Sequence, residues 1–371
     1  MTQPQKRVFY ACQAVLFIER NTQTSNSSIS DSAYLTGVQS VGVDGEFPST
    51  TLTDFGRFQK QYKFENRQKE FTINIERVIS KGEQTFYKVA SYSSEYTTTH
   101  LLHQSNLGCQ GELDSNDQCL KNYDIFLIYG DDETSLIGDS STLKNVVYRN
   151  CLLTNLSYSM SVDGYITESI SLTSRKAEYN VGGTPVLPSS PQDGSVIRRQ
   201  DVDMSQTILP EEALDIFKND VPDSFMGKNI YGLQSIDISL TIDYSELNDI
   251  GIWRGYDNGD DINKWRFVNL PVGISCSFTG ISRSLYPRES IGVDAPEFEK
   301  NKTIKIVANS SGSDYYVWDL GRRNYLNDVG ISNGSTDGGN VELTLSYQND
   351  YSELVIAKGS SIYNITSNAI Y

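Results

Sequence analysis

Phe71, Ile73 and Ile75 alternate with Thr72, Asn74 and Glu76, the period-two spacing of a strand that buries one face. Leu156, Tyr158, Met160 and Val162 alternate in the same way with Ser157, Ser159 and Ser161. The pattern breaks at Asp163-Gly164 and resumes with Ile166, Ile170 and Leu172. Asp-Gly between two alternating runs predicts a β-hairpin closed by a type I′ turn, which requires positive φ at both central positions. Residues 125–129, 274–278, 304–307 and 341–347 predict further strands. Only residues 210–218 predict a helix. Pro210 opens it, Glu211 and Glu212 sit at the positive end of its dipole, and Ala213, Leu214 and Phe217 share one side. Residues 181–194 carry Pro185, Pro188 and Pro191 with Gly182, Gly183 and Gly194, a composition that interrupts ladders and helices and reads as a linker.

The two sides of that linker echo each other. Gly37-Val38-Gln39-Ser40-Val41 recurs as Gly232-Leu233-Gln234-Ser235-Ile236. At the same offset of 195 residues Leu52, Asp54 and Gly56 meet Leu247, Asp249 and Gly251. Phe64, Asn66, Phe71, Ile73 and Ile75 then align with Phe267, Asn269, Ile274, Cys276 and Phe278 at an offset of 203. A looser counterpart of the Asp163-Gly164 hairpin surrounds Asp337-Gly338-Gly339. Collinear matches in one order indicate an internal duplication. The expected architecture is all-β: two related antiparallel β-sandwich or half-barrel units, with one short helix and a long arm inserted in the first. The boundaries are 1–180 for the first unit, with its insertion at about 80–122. Residues 181–225 form the linker and helix, 226–348 the second unit, and 349–371 a C-terminal extension that supplies an extra strand or an intersubunit arm. Gly37, Gly56, Gly232 and Gly251 are expected at bends.

The 371 residues include 31 Lys plus Arg against 47 Asp plus Glu, a formal charge of −16. That balance excludes a surface built to grip nucleic acid, since phosphate binding needs a basic face. Residues 1–180 hold 16 basic and 21 acidic side chains and residues 181–371 hold 15 and 26, so the second half is the more acidic. The polar start and the strand-length run at residues 8–18 read as neither signal peptide nor membrane span. Cys12, Cys109, Cys119, Cys151 and Cys276 are odd in number and sparse, which argues against a disulfide framework.

Candidate chemistry is thin. Both histidines, His100 and His103, lie in the Tyr-rich arm ahead of Cys109 and Cys119, at spacings that match no standard zinc site. The acidic clusters at residues 130–133 and 257–261 lack the twelve-residue calcium-loop pattern and read as solvated turns. With no Ser-His or Cys-His pairing outside the arm, no G-x-S-x-G and no H-E-x-x-H, the chain is expected not to be an enzyme. No catalytic, cofactor-binding or metal residue is assigned and no cofactor is expected. Trp253, Trp265 and Trp318 would be the stacking residues of a carbohydrate-binding, lectin-like adhesin, or packed core residues. Asn155-Leu156-Ser157 and Asn364-Ile365-Thr366 match the glycosylation sequon by composition.

The order Leu35-Thr36-Gly37-Val38-Gln39-Ser40-Val41, Asp54-Phe55-Gly56, the strand to Val78, and Leu156 to Gly164 followed by Thr167-Glu168-Ser169-Ile170-Ser171-Leu172 resembles the tail tube proteins of long-tailed bacteriophages. The likeness covers most of residues 8–180 and, more weakly, 226–348. It implies a virion structural protein whose inner sheets join around an axis into a β-lined channel for genome ejection, with DNA passing through without specific binding. The expected partners are further copies of itself in stacked trimeric or hexameric rings, and sheath, tape-measure or hub proteins. The expected location is the phage tail, after synthesis in the host cytoplasm. A usual tube subunit has one such unit; two per chain would let three chains close a ring of six, as in baseplate hub proteins, or six chains close around one unit each with the other outside. The Tyr-rich arm is expected to reach a neighbouring subunit or ring.

Overall fold

The computed structural model describes residues 10–19, 35–46, 49–52, 62–65, 70–79, 100–102, 123–131, 144–162, 164–179, 196–204, 206–217, 232–246, 266–269, 272–281, 302–309, 315–332, 341–349 and 354–359. In the first half lie β1 (Tyr10–Glu19), β2 (Val38–Glu46), β3 (Ser49–Leu52), β4 (Tyr62–Glu65), β5 (Glu70–Val78), β6 (His100–Leu102), β7 (Tyr123–Asp131), β8 (Lys144–Ser161), β9 (Thr167–Ser174) and β10 (Lys176–Tyr179). The helix α1 (Glu211–Phe217) follows, then β11 (Leu233–Thr241), β12 (Tyr244–Glu246), β13 (Arg266–Val268), β14 (Gly273–Ile281), β15 (Lys305–Asn309), β16 (Tyr315–Asp319), β17 (Asn324–Ser332), β18 (Glu342–Asn349) and β19 (Leu354–Gly359). The fold is all-β, with antiparallel pairing throughout the described ladders.

Eight strands form one continuous sheet in the order β2-β5-β9-β8-β11-β14-β18-β17. This order is one quartet written twice. Within the first quartet Val41 pairs with Ile75, and within the second Ile236 pairs with Phe278, which reproduces the offsets of 195 and 203. Irregularities recur at matched places too, at Gln39 and Gln234 in the first strand of each quartet and at Thr154 and Asn327 in the last. β9 and β18 carry the same burial alternation. The small ladders β3–β4 and β12–β13 also match, Thr50 with Phe64 and Ser245 with Phe267. Between matched partners the chain from β12 to β13 is therefore eight residues longer than that from β3 to β4, and the acidic run 257–261 falls within it, outside the described residues.

Two things beyond the alternation hold this sheet in place. β8 is eighteen residues long and belongs to two ladders: its first part pairs with β7 and β10, its second with β9 and β11. In the second half the equivalent path breaks into β16 and β17 at a corner where Gly321 has φ 69°. The outer strands β15-β16-β19-β6 form a separate four-stranded sheet. Residues 202–208 bridge to β15 through Val202–Ala308 and Ile208–Lys305, the place that β1 takes beside β7. Inward side chains of both sets, among them Phe17, Ile125, Ile75, Leu172, Phe278, Leu345 and Trp318, pack in one buried cluster, each worth about 1.5–3 kcal/mol of apolar transfer when fully enclosed. Trp318 meets Tyr158 edge to face at 5.6 Å, so this tryptophan is core rather than a sugar platform. Trp253 and Trp265 lie outside the described residues.

The Gly321 corner is held by amides. Asn324 is fully buried and donates to the carbonyls of Lys302 (2.9 Å), Gly321 (3.1 Å) and Leu320 (3.2 Å), while Asn349 donates to Leu320 O at 2.7 Å and to Asn324 Oδ1 at 3.2 Å. Leucine has the same branched shape, bulkier methyl ends and no donor. Asn324→Leu should therefore cost about 2–4 kcal/mol through unsatisfied buried carbonyls, read as a lower urea midpoint at unchanged slope.

Several expectations are corrected. The β8–β9 hairpin forms, but the described glycines with positive φ are Gly37 and Gly321, not Gly164. Around the connection Gly164 N–H donates to Ser161 O at 3.4 Å, while Val162 N–H donates to Gln234 O, Ile166 O accepts from Ile79 N–H and Ile166 N–H donates to Ile197 O. Asp163, Gly56 and Gly251 lie outside the described residues, as do residues 180–195 of the linker. The described part of the arm, β6, pairs with β19 of the same chain, which offers an open edge there; the rest of the arm, residues 80–99 and 103–122, lies outside the described residues. His103, Cys109 and Cys119 lie outside the described residues. The C-terminal extension does supply an extra strand, as one of its two expected roles: β19 takes the place beside β16 that β10 takes beside β8. The helix stands as expected, with Pro210 O accepting from Leu214 N–H.

Candidate functional surface

One face of the eight-stranded sheet covers the core, and strict alternation sends every other side chain to the opposite face. That opposite face is made mainly of hydroxyls, amides, glycines and carboxylates, with Val78 beside Thr167 as an apolar member. One cross-strand row runs Ser40, Glu76, Ser169, Ser157, Ser239, Ser275, Gln348. The next runs Thr167, Ser159, Asp237, Ser277, Ser346, Asp328. The side chains bond along these rows: Ser159 Oγ donates to Asp237 Oδ1 at 2.6 Å, Ser40 Oγ to Glu76 Oε2 at 3.0 Å, and Ser171 Oγ to Asn74 Oδ1 at 2.7 Å. Asn155 belongs to this array and donates to Thr241 Oγ1 at 3.3 Å in mid-strand, which is not the surface loop that a glycosylated sequon occupies.

Charge is distributed one way on this face. Asp44, Glu46, Glu70, Glu76, Asp237, Asp328 and Glu342 lie on it, and among the described residues of β2, β5, β9, β11, β14, β17, β18 and the part of β8 that pairs with β9 and β11 there is no lysine there and no arginine; Lys144 and Arg149 stand in the other part of β8, which pairs with β7 and β10. The cation of these ladders, Arg77, points into the core, where its Nε donates to Glu168 Oε1 at 2.6 Å with both side chains fully buried. Sequence reading passed over this pair, although Arg77 and Glu168 stand at the inward phase of their strands and are conspicuous there. The second half has Gly280 and Leu343 at the matching positions, and Phe217 of α1 lies against Gly280 instead.

Other polar clusters are structural. Arg149 on β8 bonds Asp124 at 2.7 Å and Glu178 at 2.8 Å. Burial works against its charge, but the bonds to Asp124 and Glu178 outweigh that and hold its pKa above the ordinary value. Burial pushes the thiols of Cys151 and Cys276 upward, leaving them small apolar groups rather than nucleophiles. Burial also pushes the Tyr148 phenol up to about 12. Among the described residues no group of three His, Cys, Asp or Glu side chains is placed to hold a metal ion, and no helix is long and apolar enough to cross a membrane. No protein-family model and no curated protein matches the chain.

Proposed function

We propose that this chain is a ring-forming structural subunit of a bacteriophage tail tube or tube-to-baseplate junction, in which the cation-free sheet face lines a passage for DNA. The observation that carries the reading is the combination of a sheet built from two copies of one quartet with a solvent face that, among the described residues where β8 pairs with β9 and β11 and across the other seven strands, bears acids and hydroxyls but no basic side chain. Such a wall attracts no phosphate. Its carboxylates repel a duplex within the ~10 Å over which salt leaves charges visible, so the polymer slides rather than sticks.

Both quartets lie in the same sheet with the same face outward, and this favours three chains per ring over six with the second unit outside. The virion location, the contacts with sheath, tape-measure or hub proteins, and the absence of catalysis belong to the same reading. Light scattering on the purified chain, with negative-stain images, is the test. We expect a ring-sized species with a central hole. A monomer at all concentrations would overturn the reading and promote the glycan-binding alternative, which a glycan array then checks.

A further inference from the structure

The sheet ends at two strands, β2 and β17, each paired on one side only among the described residues. Their core-facing side chains are incompletely covered: Val41, Val43 and Val329 are half-buried and Ile331 is 40% exposed. The matching positions in the interior strands β11 and β8 are Ile236, Ile238, Leu156 and Tyr158, all at 4% or less. Both pairs of strands have the same inward pattern, and what covers the interior pair is the β8–β11 junction.

Resting on the ring reading above, we infer that β17 of one copy pairs antiparallel with β2 of the next in the register of the internal β8–β11 junction, and that the seam so formed is held apart by carboxylates. The junction pairs Tyr158 with Ile238, Ser159 with Asp237 and Asn155 with Thr241. Carried over through the matched bulges, it sets Ile331 opposite Val43, Ser332 opposite Gly42, and Asp328 opposite Glu46. Ile331 and Val43 then gain the cover that Tyr158 and Ile238 have.

The outer face of the same seam is unfavourable. Glu46 already stands opposite Glu70 across the β2–β5 ladder, so closure lines up Asp328, Glu46 and Glu70 in one row with Asp44 beside it. The internal junction has Asn155 and Thr241 at the matching place, joined by a hydrogen bond. Like charges directly opposite one another weaken a strand pair. The copies therefore associate more tightly as salt rises, the reverse of an interface built on opposite charges.

The test uses the full chain carrying Val43→Cys with Ile331→Cys, compared with Val41→Cys with Ile331→Cys and with the parent and its own cysteines, under mild oxidation. We expect covalent multimers from the first pair, ending at one largest species on a non-reducing gel, and none from the second. Raising salt should tighten association by about two- to fivefold, and Glu46→Gln should give a similar gain at low salt. Rings by light scattering with no Val43–Ile331 cross-link, or with a Val41–Ile331 cross-link, would overturn the register and leave the ring reading standing. Monomers alone with no cross-link would overturn both. Association that weakens with salt and is unchanged by Glu46→Gln would overturn the carboxylate seam.

Discussion

Glu168→Leu should lower the unfolding free energy by about 3–5 kcal/mol, because it takes the Glu168 carboxylate away from the fully buried Arg77 guanidinium. The bond to Thr36 O at 3.3 Å does not replace a carboxylate. The pair is not needed for the architecture itself. At the equivalent place the second half has Gly280 and Leu343, with the ring of Phe217 lying 2.6 Å from where a Cβ on Gly280 would sit. Combining Arg77→Met with Glu168→Leu should therefore recover most of the loss and bring stability to within about 1–2 kcal/mol of the parent. Urea unfolding of the two single variants and the double, at one protein concentration so that assembly does not shift the midpoints, measures the cycle. Equal losses in the single and double variants would show that packing, not the uncompensated charge, sets the cost.

The second large effect is expected at Gly37. Its φ is 75°, and a Cβ there would sit 2.3 Å from Val78 O, the residue whose N–H donates to Gly37 O at 2.9 Å. Gly37→Ala thus combines a left-handed backbone with a backbone clash that no side-chain rotation relieves, and should cost about 2–4 kcal/mol. Gly232 is its counterpart, meeting Ile281 O at 2.8 Å and accepting from Ile281 N–H at 2.8 Å, but Gly37 alone of the two is among the positive-φ glycines. Gly232→Ala should cost less, by about 1 kcal/mol or more. Thermal unfolding of both variants compares them, and a Gly232 variant as damaged as the Gly37 one would place the strain in the contact rather than in φ.

Much of the main sheet was legible because the duplication is written in short, unbroken stretches. The offsets of 195 and 203 found between Gly37-Val38-Gln39-Ser40 and Gly232-Leu233-Gln234-Ser235, and between Phe64 and Phe267, are the offsets of the strand registers themselves. Period-two alternation reports which face a residue takes, but not which strand lies beside it. That is why the union of the two quartets through β8 and β11 did not emerge, nor the role of residues 202–208 as the counterpart of β1. The turn at Gly164 was misread for a related reason. Gly164 N–H bonds back to Ser161 O, but Val162 and Ile166 on either side bond to residues far away in sequence, Gln234, Ile79 and Ile197, which a dipeptide preference does not contain. The acid-only face was present in the sequence as the polar phase of eight strands, and it became visible only when those strands were placed side by side.

β8 leaves the ribosome long before β11, with Ser161 and its partner Ser235 separated by more than seventy residues. During that interval the first quartet can complete itself, since β2, β5 and β9 all come from the first half, yet it presents the open side of β8 to whatever arrives next. The sequences that fit this side include β11 of the same chain and β11 of any other nascent copy, so on crowded polysomes the order of synthesis sets a race between correct closure and exchange of halves between molecules. Faster translation through residues 180–232, or a chaperone that shields a bare strand edge, would tilt that race toward the intramolecular partner.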